Sequence, residues 1–474
     1  MHQVYQRRLT HSGSRFDHCE IGILRLRLLA GILFILILAL PGRAQAPSAE
    51  EQQYLFSVLP LIERGDLTKA EDQIFAGLER YSRSAILYNA LGIVYTRQNK
   101  LDKAATSFRR ALEILPSFTA AQLQLAALDQ RQGNKEEAVR LFRAAGDTTT
   151  NFEALVAAGL GLADCEDYAG AARVLEKAHE VKPDAESVTY NLALAQYKSG
   201  ALTSALESLE SITADRKPDV LYLRGKVLEG LGKPESISPI MAACGIQPGN
   251  DTFCADAAVN AIRQEKYLEA VAVLEPAIGK SSGSVALLSL LGLAQFRLGR
   301  YREAITSYTA ALEKDPGVDA SREGLGFLYY VTGNLEKARS IIEAGLKNPK
   351  ADHYLAHLEA MVLYRASPRL RPQALDAVNR ALQANAKFAP SYFLRGKIRM
   401  DQNDLSGALA DFKRAVALDP KYPLPYYKMA QIYVRQGRAQ EAAAARSTFS
   451  ALGSRREEEI LARQTQDILM PVSR

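Results

Sequence analysis

Two histidines four residues apart, His353 and His357, with Asp352 beside them, are the residues of this chain whose types and spacing most invite chemistry. On a helix that spacing turns both imidazoles to one face. There two ring nitrogens and a carboxylate could hold a divalent metal and activate a water for hydrolysis or group transfer. The stretch "ADHYLAHLEA" lacks the HExxH order of a zinc protease, and the competing reading makes both histidines polar residues of a binding groove. A hydrolase or transferase centred on His353 and His357 is therefore the alternative reading, and the pattern as a whole points elsewhere.

Other catalytic patterns fail on context. The glycine pairs in "GLGLA" and "GLGFL" lack the strand that a phosphate-cradling loop requires, and no Gly-x-Ser-x-Gly elbow occurs. Carboxylates such as those of "EKDP" read as solvated helix ends. No catalytic residue, resident metal or cofactor is expected. Of the four cysteines, Cys19 lies in an amino-terminal leader, which leaves Cys165, Cys244 and Cys254. Cys244 and Cys254 could pair across neighbouring helices, or all three could be small buried side chains; geometry decides between the two.

The leader also carries the charge. The chain has 59 basic and 53 acidic residues, a balance of +6, but residues 1–44 hold six arginines against Asp17 and Glu20, and the remainder is close to neutral at +2. A polyanion partner such as nucleic acid is accordingly not expected. The arginine-bearing start is followed by "LLAGILFILILAL", Leu28 to Leu40, and then "PGRAQAP". That apolar run is short for a bilayer span, which takes about 20 residues, and suits a secretory signal. Residues 1–44 read as a signal peptide cut after Ala44, or as a retained amino-terminal anchor, which would be the one membrane contact. The mature protein is expected to be exported, periplasmic or extracellular.

The elements that must position any site are set by repetition. "LYNALGIVYTRQNKLDKAATSFRRALEILP" at residues 87–116 returns as "LLSLLGLAQFRLGRYREAITSYTAALEKDP" and as "SYFLRGKIRMDQNDLSGALADFKRAVALDP". Tyr88, Leu91, Gly92, Tyr95, Ala104, Phe108, Ala111 and Pro116 carry the pattern. It resembles the tetratricopeptide repeat, whose period is about 34 residues. Units begin near residues 51, 85, 119, 152, 186, 218, 251, 285, 319, 352, 389 and 423. The twentieth place is alanine in every unit but the sixth, where Ile237 stands, and the fifteenth is usually glycine or asparagine, the residues that tolerate a left-handed helix end.

The resemblance implies an all-α, right-handed superhelical solenoid of about twelve helix-turn-helix repeats. Its organisation would be a leader (1–44), a short linker (45–50), repeats one to five (51–217), a degenerate sixth repeat with Pro234 at its second helix (218–250), repeats seven to twelve (251–456), and a capping helix and tail (457–474). A short insertion, "ASPRLRP", interrupts the tenth repeat.

In this family the concave face is lined by the first helix of each unit, and the matching places here name Leu55, Asn89, Ile93, Leu123, Tyr190, Tyr197, Tyr222, Phe296, Phe327, Tyr330, Phe393 and Tyr427. They make a groove more apolar and aromatic than charged, without the lysine and asparagine clamp by which some members hold acidic carboxyl-terminal tails. The resemblance thus implies a non-catalytic scaffold that binds a protein or peptide along this face, as exported members do in envelope assembly, pilus biogenesis or polysaccharide export.

Overall fold

The computed structural model describes residues 48–213, 217–280, 284–348 and 353–453. The leader, the cleavage point after Ala44, Asp352 and the capping helix of residues 457–474 lie outside the described residues. Among those described are 24 α-helices, two short 3-10 turns and no strand, so the chain is all-α. Consecutive helices pack in pairs, and pair follows pair.

One repeat shows why. Ser84 starts the helix Ala85–Arg97 by accepting a bond from the Leu87 amide, which satisfies a donor that the first turn leaves free. The helix stops at Asn99, whose φ of 59° turns the chain back into the helix Leu101–Ile114. Ala104 is wholly buried, as are its counterparts Ala138, Ala171, Ala270, Ala304, Ala374 and Ala408, because a methyl group is all that the paired helices admit. Opposite it, Gly92 makes room for a ring: a Cβ there would sit 2.4 Å from Cε1 of Phe108. The same pairing recurs at Gly396 and Phe412, at 2.5 Å. These repeats thereby close on a large ring seated against a missing side chain.

Two turns depart from the expected chemistry. Glu166 and Glu265 occupy the place that glycine or asparagine fills elsewhere, and both adopt positive φ, 69° and 59°. A side chain costs about 1–2 kcal/mol in that region, so the fold imposes the turn even where the local sequence resists it.

Neighbouring repeats are stitched by bonds that recur with the period. The side chain at the fourth place of a unit donates to a carbonyl of the preceding loop: Gln122 Nε2 to Pro116 O (2.8 Å) and Tyr392 Oη to Ala386 O (3.2 Å). Arg97 and Arg365 each reach back to a carbonyl near the end of the previous first helix, Ile62 O and Tyr330 O, where the helix dipole favours a cation. First helices also touch first helices, as in Val285–Arg297, Asp319–Val331 and His353–Ala366. Second helices rarely meet one another, so within each stack the first helices form the inner side of the curve.

The chain divides into two compact units, Met1–Pro234 and Glu235–Arg474, and the cut falls inside the sixth repeat. That repeat is irregular. Its first helix, Pro218–Gly230, is followed by the 3-10 turn Pro234–Ser236 and by a second helix, Ile237–Ile246, of only 10 residues. In the second unit a disulfide joins Cys244 of that short helix to Cys254 of the next, Asp251–Arg263, with their Cα atoms 4.9 Å apart. Cys165 is free and buried, and burial pushes its thiol pKa up, which makes it a poor nucleophile.

Candidate partner-binding face

The inner helices of the first unit offer a half-buried aromatic surface. Tyr190 and Tyr197 of the helix Glu186–Ser199 and Tyr222 of Pro218–Gly230 lie partly open on this side, beside an ion pair between Lys226 and Glu229 (2.6 Å). Ile93 is also partly open. Leu55 and Leu123 are not: at 2% and 6% exposure they belong to the core that runs from Leu55 to Ala195. Asn89 is buried too, and its Oδ1 meets no hydrogen-bond donor among the described residues.

In the second unit the inner side carries a chain of rings. Phe296 meets Phe327 edge-on at 5.7 Å, and Phe327 stacks with Tyr330 at 6.3 Å. Phe296 also stacks with Tyr301 at 5.9 Å. Phe327 is only 1% exposed and Phe393 only 3%, because each ring turns into the seam with its neighbours; Phe393 packs on Tyr422 at 5.2 Å and on Phe412 at 5.7 Å. Tyr330 stays half-buried, and Tyr427, 43% exposed, leans on Phe449. The surface that a partner could touch is therefore narrower than the sequence positions suggest, and it is mostly tyrosine.

Cations sit on these rings. The Arg365 guanidinium lies 5.0 Å from the Tyr330 ring while its Nη1 donates to the Tyr330 carbonyl (2.8 Å). Lys397 lies 5.0 Å from Tyr364 and 5.6 Å from Phe393, and Arg371 5.9 Å from Tyr364. The Tyr364 hydroxyl donates to Asp401 (2.9 Å), which also pairs with Arg371 (2.9 Å). A cation over an aromatic face gains about 0.5–2 kcal/mol, so these side chains are held on the surface in fixed places.

Arg365 and Arg371 are absent from the sequence-derived face because neither stands at a lining place, and Tyr364 because the tenth repeat begins one residue later than its assigned start at 352. Its first helix is His353–Ala366, and the wholly buried Ala360 fills the small eighth place. That register makes Tyr364 the twelfth residue, alongside Phe296 and Tyr330. The signal was present, since Phe296, Tyr330 and Tyr364 recur every 34 residues.

His353 and His357 do come together, around Phe388, with ring centroids 4.9 Å and 5.2 Å from it. His353 Nε2 is 3.1 Å from Asn385 Nδ2, and His357 Nδ1 is 3.0 Å from Ser391 Oγ. His357 is 1% exposed, and burial above all, with His353 second, lowers its pKa from 6.5 to about 3. Both rings thus serve the seam between the tenth and eleventh repeats. Among the described residues no cluster of histidine, cysteine and carboxylate side chains could hold a metal ion, and no helix is long and apolar enough to cross a membrane.

Paired helices repeated along the chain, with small residues at all crossings but the sixth and an inner face left partly open, define a helical-repeat binding protein. Tetratricopeptide repeat models match residues 85–118, 119–144, 162–227, 256–319 and 295–362, and a TPR repeat model matches 396–437. The chain belongs to the tetratricopeptide repeat family, whose members typically mediate protein–protein interactions.

Protein FlbA of Caulobacter vibrioides is 25% identical over 225 residues, which cover 46% of this chain and 38% of that protein. FK506-binding protein-like of Mus musculus is 29% identical over 191 residues, 38% of this chain and 52% of that protein. Protein O-mannosyl-transferase TMTC1 of Homo sapiens is 26% identical over 186 residues, 38% of this chain but 20% of that one. The chain thus spans between a fifth and about half of the length of these curated relatives. Among solved structures, Naa15/Naa10 bound to HypK-THB aligns with 85% of this chain and 68% of its own at 17% identity, with a TM-score of 0.43. The APC/C hetero-tetramer Cut9–Hcn1 aligns with 89% and 97% at 12% identity, with a TM-score of 0.42.

Proposed function

We propose that this protein is an exported, non-catalytic scaffold that binds a protein or peptide along the inner face of its repeats, in envelope assembly, pilus biogenesis or polysaccharide export. The observation that carries the binding reading is the part-open run of tyrosines on first helices, Tyr190, Tyr197 and Tyr222 in one unit and Tyr330 and Tyr364 in the other. Amphipathic rings held by rigid helices give a partner large contact area at low entropic cost. Export is supported by the leader and by the Cys244–Cys254 bond, since disulfides persist in oxidising compartments. In this reading nucleic acid is not a partner, and the membrane is touched only through the amino-terminal segment, if that is retained.

A transferase or hydrolase at His353 and His357 is disfavoured by the burial of His357 and by the bonds that occupy both rings. Photo-crosslinking amino acids placed at positions 197, 222 and 364 test the binding reading in cells. A discrete crosslinked partner from inner positions, and none from an outer position such as 173, is expected. A chain that stays monomeric and uncrosslinked at all three sinks it. Amino-terminal sequencing of the purified protein tests export: a start at Gln45 is expected, and an intact Met1 in the cytosolic fraction would refute it.

A further inference from the structure

We propose that Cys244 and Cys254 form a redox latch on the amino-terminal end of the second unit: as thiols they let the helix Ile237–Ile246 leave its seat, and as a disulfide they hold it there and hide the bond from reductants. The helix has little to hold it by itself. It has 10 residues, no charged side chain, no side-chain bond at its Ser236 cap, and a glycine, Gly245, in its last turn. A helix so short does not persist alone in water. Other second helices, such as Leu101–Ile114, lie between two first helices of one unit, here Ala85–Arg97 and Thr119–Gln132. The first helix of the sixth repeat falls in the other unit, so within the second unit Ile237–Ile246 rests on Asp251–Arg263 and Tyr267–Lys280. Its buried residues are Ile237, Ile240, Ala243 and Cys244, and the bond from Asn260 Nδ2 to the Ser236 hydroxyl at its start is long, 3.4 Å.

Burial gives the latch its direction. Cys244 is 1% exposed and Cys254 0%, so a thiolate from outside has no approach to either sulfur while the helix is seated. The free thiols, likewise, meet an oxidant only while the helix is off its seat. To close the latch, one cysteine thiolate displaces a thiolate from the oxidant's disulfide, and the second cysteine then displaces the mixed disulfide. Two protons and two electrons leave the cysteine pair, and a protein or small-molecule disulfide takes the electrons and becomes two thiols. The new bond joins residues 10 apart in sequence, and closing a ring of that size disfavours opening by about a hundredfold. The latch therefore closes through a frequent opening and can be undone only through a rare one. A chain moved from a reducing to an oxidising compartment would complete this end of its second unit on arrival; that consequence rests on the export reading, and the latch itself does not.

Hydrogen exchange and thiol alkylation of the full chain, oxidised and reduced, test the proposal. In the reduced chain the amides of residues 237–246 should exchange about a hundredfold faster than in the oxidised chain. N-ethylmaleimide should label Cys244 and Cys254 faster than Cys165, a thiol that is buried in the first unit and has no such helix to release it. The helix Val285–Arg297, deeper in the second unit, should exchange alike in both forms. Glutathione disulfide should restore protection to the reduced parent and leave C244S/C254S, which cannot close, exchanging fast; the reduced parent carries the readout if that variant fails to fold. Equal exchange of residues 237–246 in the two forms, or labelling of Cys244 and Cys254 no faster than of Cys165, overturns the proposal. Loss of protection along the whole second unit on reduction overturns it too, since the bond would then be a general staple. A purified chain that starts at Met1 would remove the export reading and leave each of these readouts as it is.

Discussion

His357 should make the second unit acid-labile in a pH range where most proteins are indifferent. Its imidazole is wholly buried between repeats, bonded through Nδ1 to the buried Ser391 hydroxyl, and its Nε2 meets no partner among the described residues. A proton on Nε2 would be a charge with nothing to answer it. The folded pKa is accordingly about 3, against an ordinary 6.5. Because the folded value is depressed, the unfolded chain takes up the proton first. The contribution to stability is whole above pH 6.5, declines as pH falls, and is lost by about pH 3. At 1.36 kcal/mol per unit, about 2 kcal/mol disappears between pH 7 and pH 5, and about 4 kcal/mol by pH 3. Repeat arrays do not unfold in one step, so the assay is hydrogen exchange of the helix His353–Ala366, compared at pH 7 and pH 5 in the parent and in His357→Asn. The variant keeps a polar group near Ser391 and starts from lower stability, but it lacks the titration. Its pH-induced loss should be smaller than the parent's by about 2 kcal/mol. Equal losses in the two proteins, or an imidazole signal of His357 that titrates near pH 6.5 by NMR, would refute the reasoning.

The other predictions concern the frame that carries the face. Gly396→Ala puts a Cβ 2.5 Å from the buried Phe412 ring and should cost about 1–3 kcal/mol, read as a lower urea midpoint with an unchanged far-ultraviolet spectrum. Glu265→Gly relieves the positive φ of 59° and should stabilise by about 0.5–1 kcal/mol after the added freedom of the unfolded chain is counted, measured by thermal unfolding; a fall in midpoint would contradict it. C244A/C254A removes the bond between the short helix Ile237–Ile246 and its neighbour and should cost about 2–3 kcal/mol. Reductant should destabilise the parent in the same direction and leave C244A/C254A unchanged.

Much of this architecture is legible before any coordinates. Alanines at all crossings but the sixth, glycine or asparagine at most turns and prolines between some units are local instructions, and the helices follow them because each satisfies a steric need at its own position. Glu166 and Glu265 were not legible as turns, since no local preference favours them there; the neighbouring repeats hold them in place. The exposure of the inner residues was also hidden. A period of 34 says which helix face a side chain occupies, not whether its ring turns outward or into the next seam. Phe393 turns inward because Phe412 and Tyr422 receive it, and Tyr427, at the last described repeat, has only Phe449 to lean on.

The tenth repeat shows where an array of near-identical units can acquire a specific task. Its insertion falls after the first helix, so Phe296, Tyr330 and Tyr364 keep their spacing of 34 and the inner wall continues unbroken. What changes is the turn. Apart from the irregular sixth repeat, the other described turns between paired helices reverse the chain in a few residues, mostly through one residue of positive φ, whereas here Ser367 caps the turn Pro368–Leu370 and delivers Arg371 against Tyr364 and Asp401. A substitution within the wall would disturb both adjacent repeats, because each inner side chain also packs a seam. An addition at the turn places new charge beside the wall without touching its packing. The array can in this way vary what it binds at one repeat while the stack that holds the repeat stays as it is.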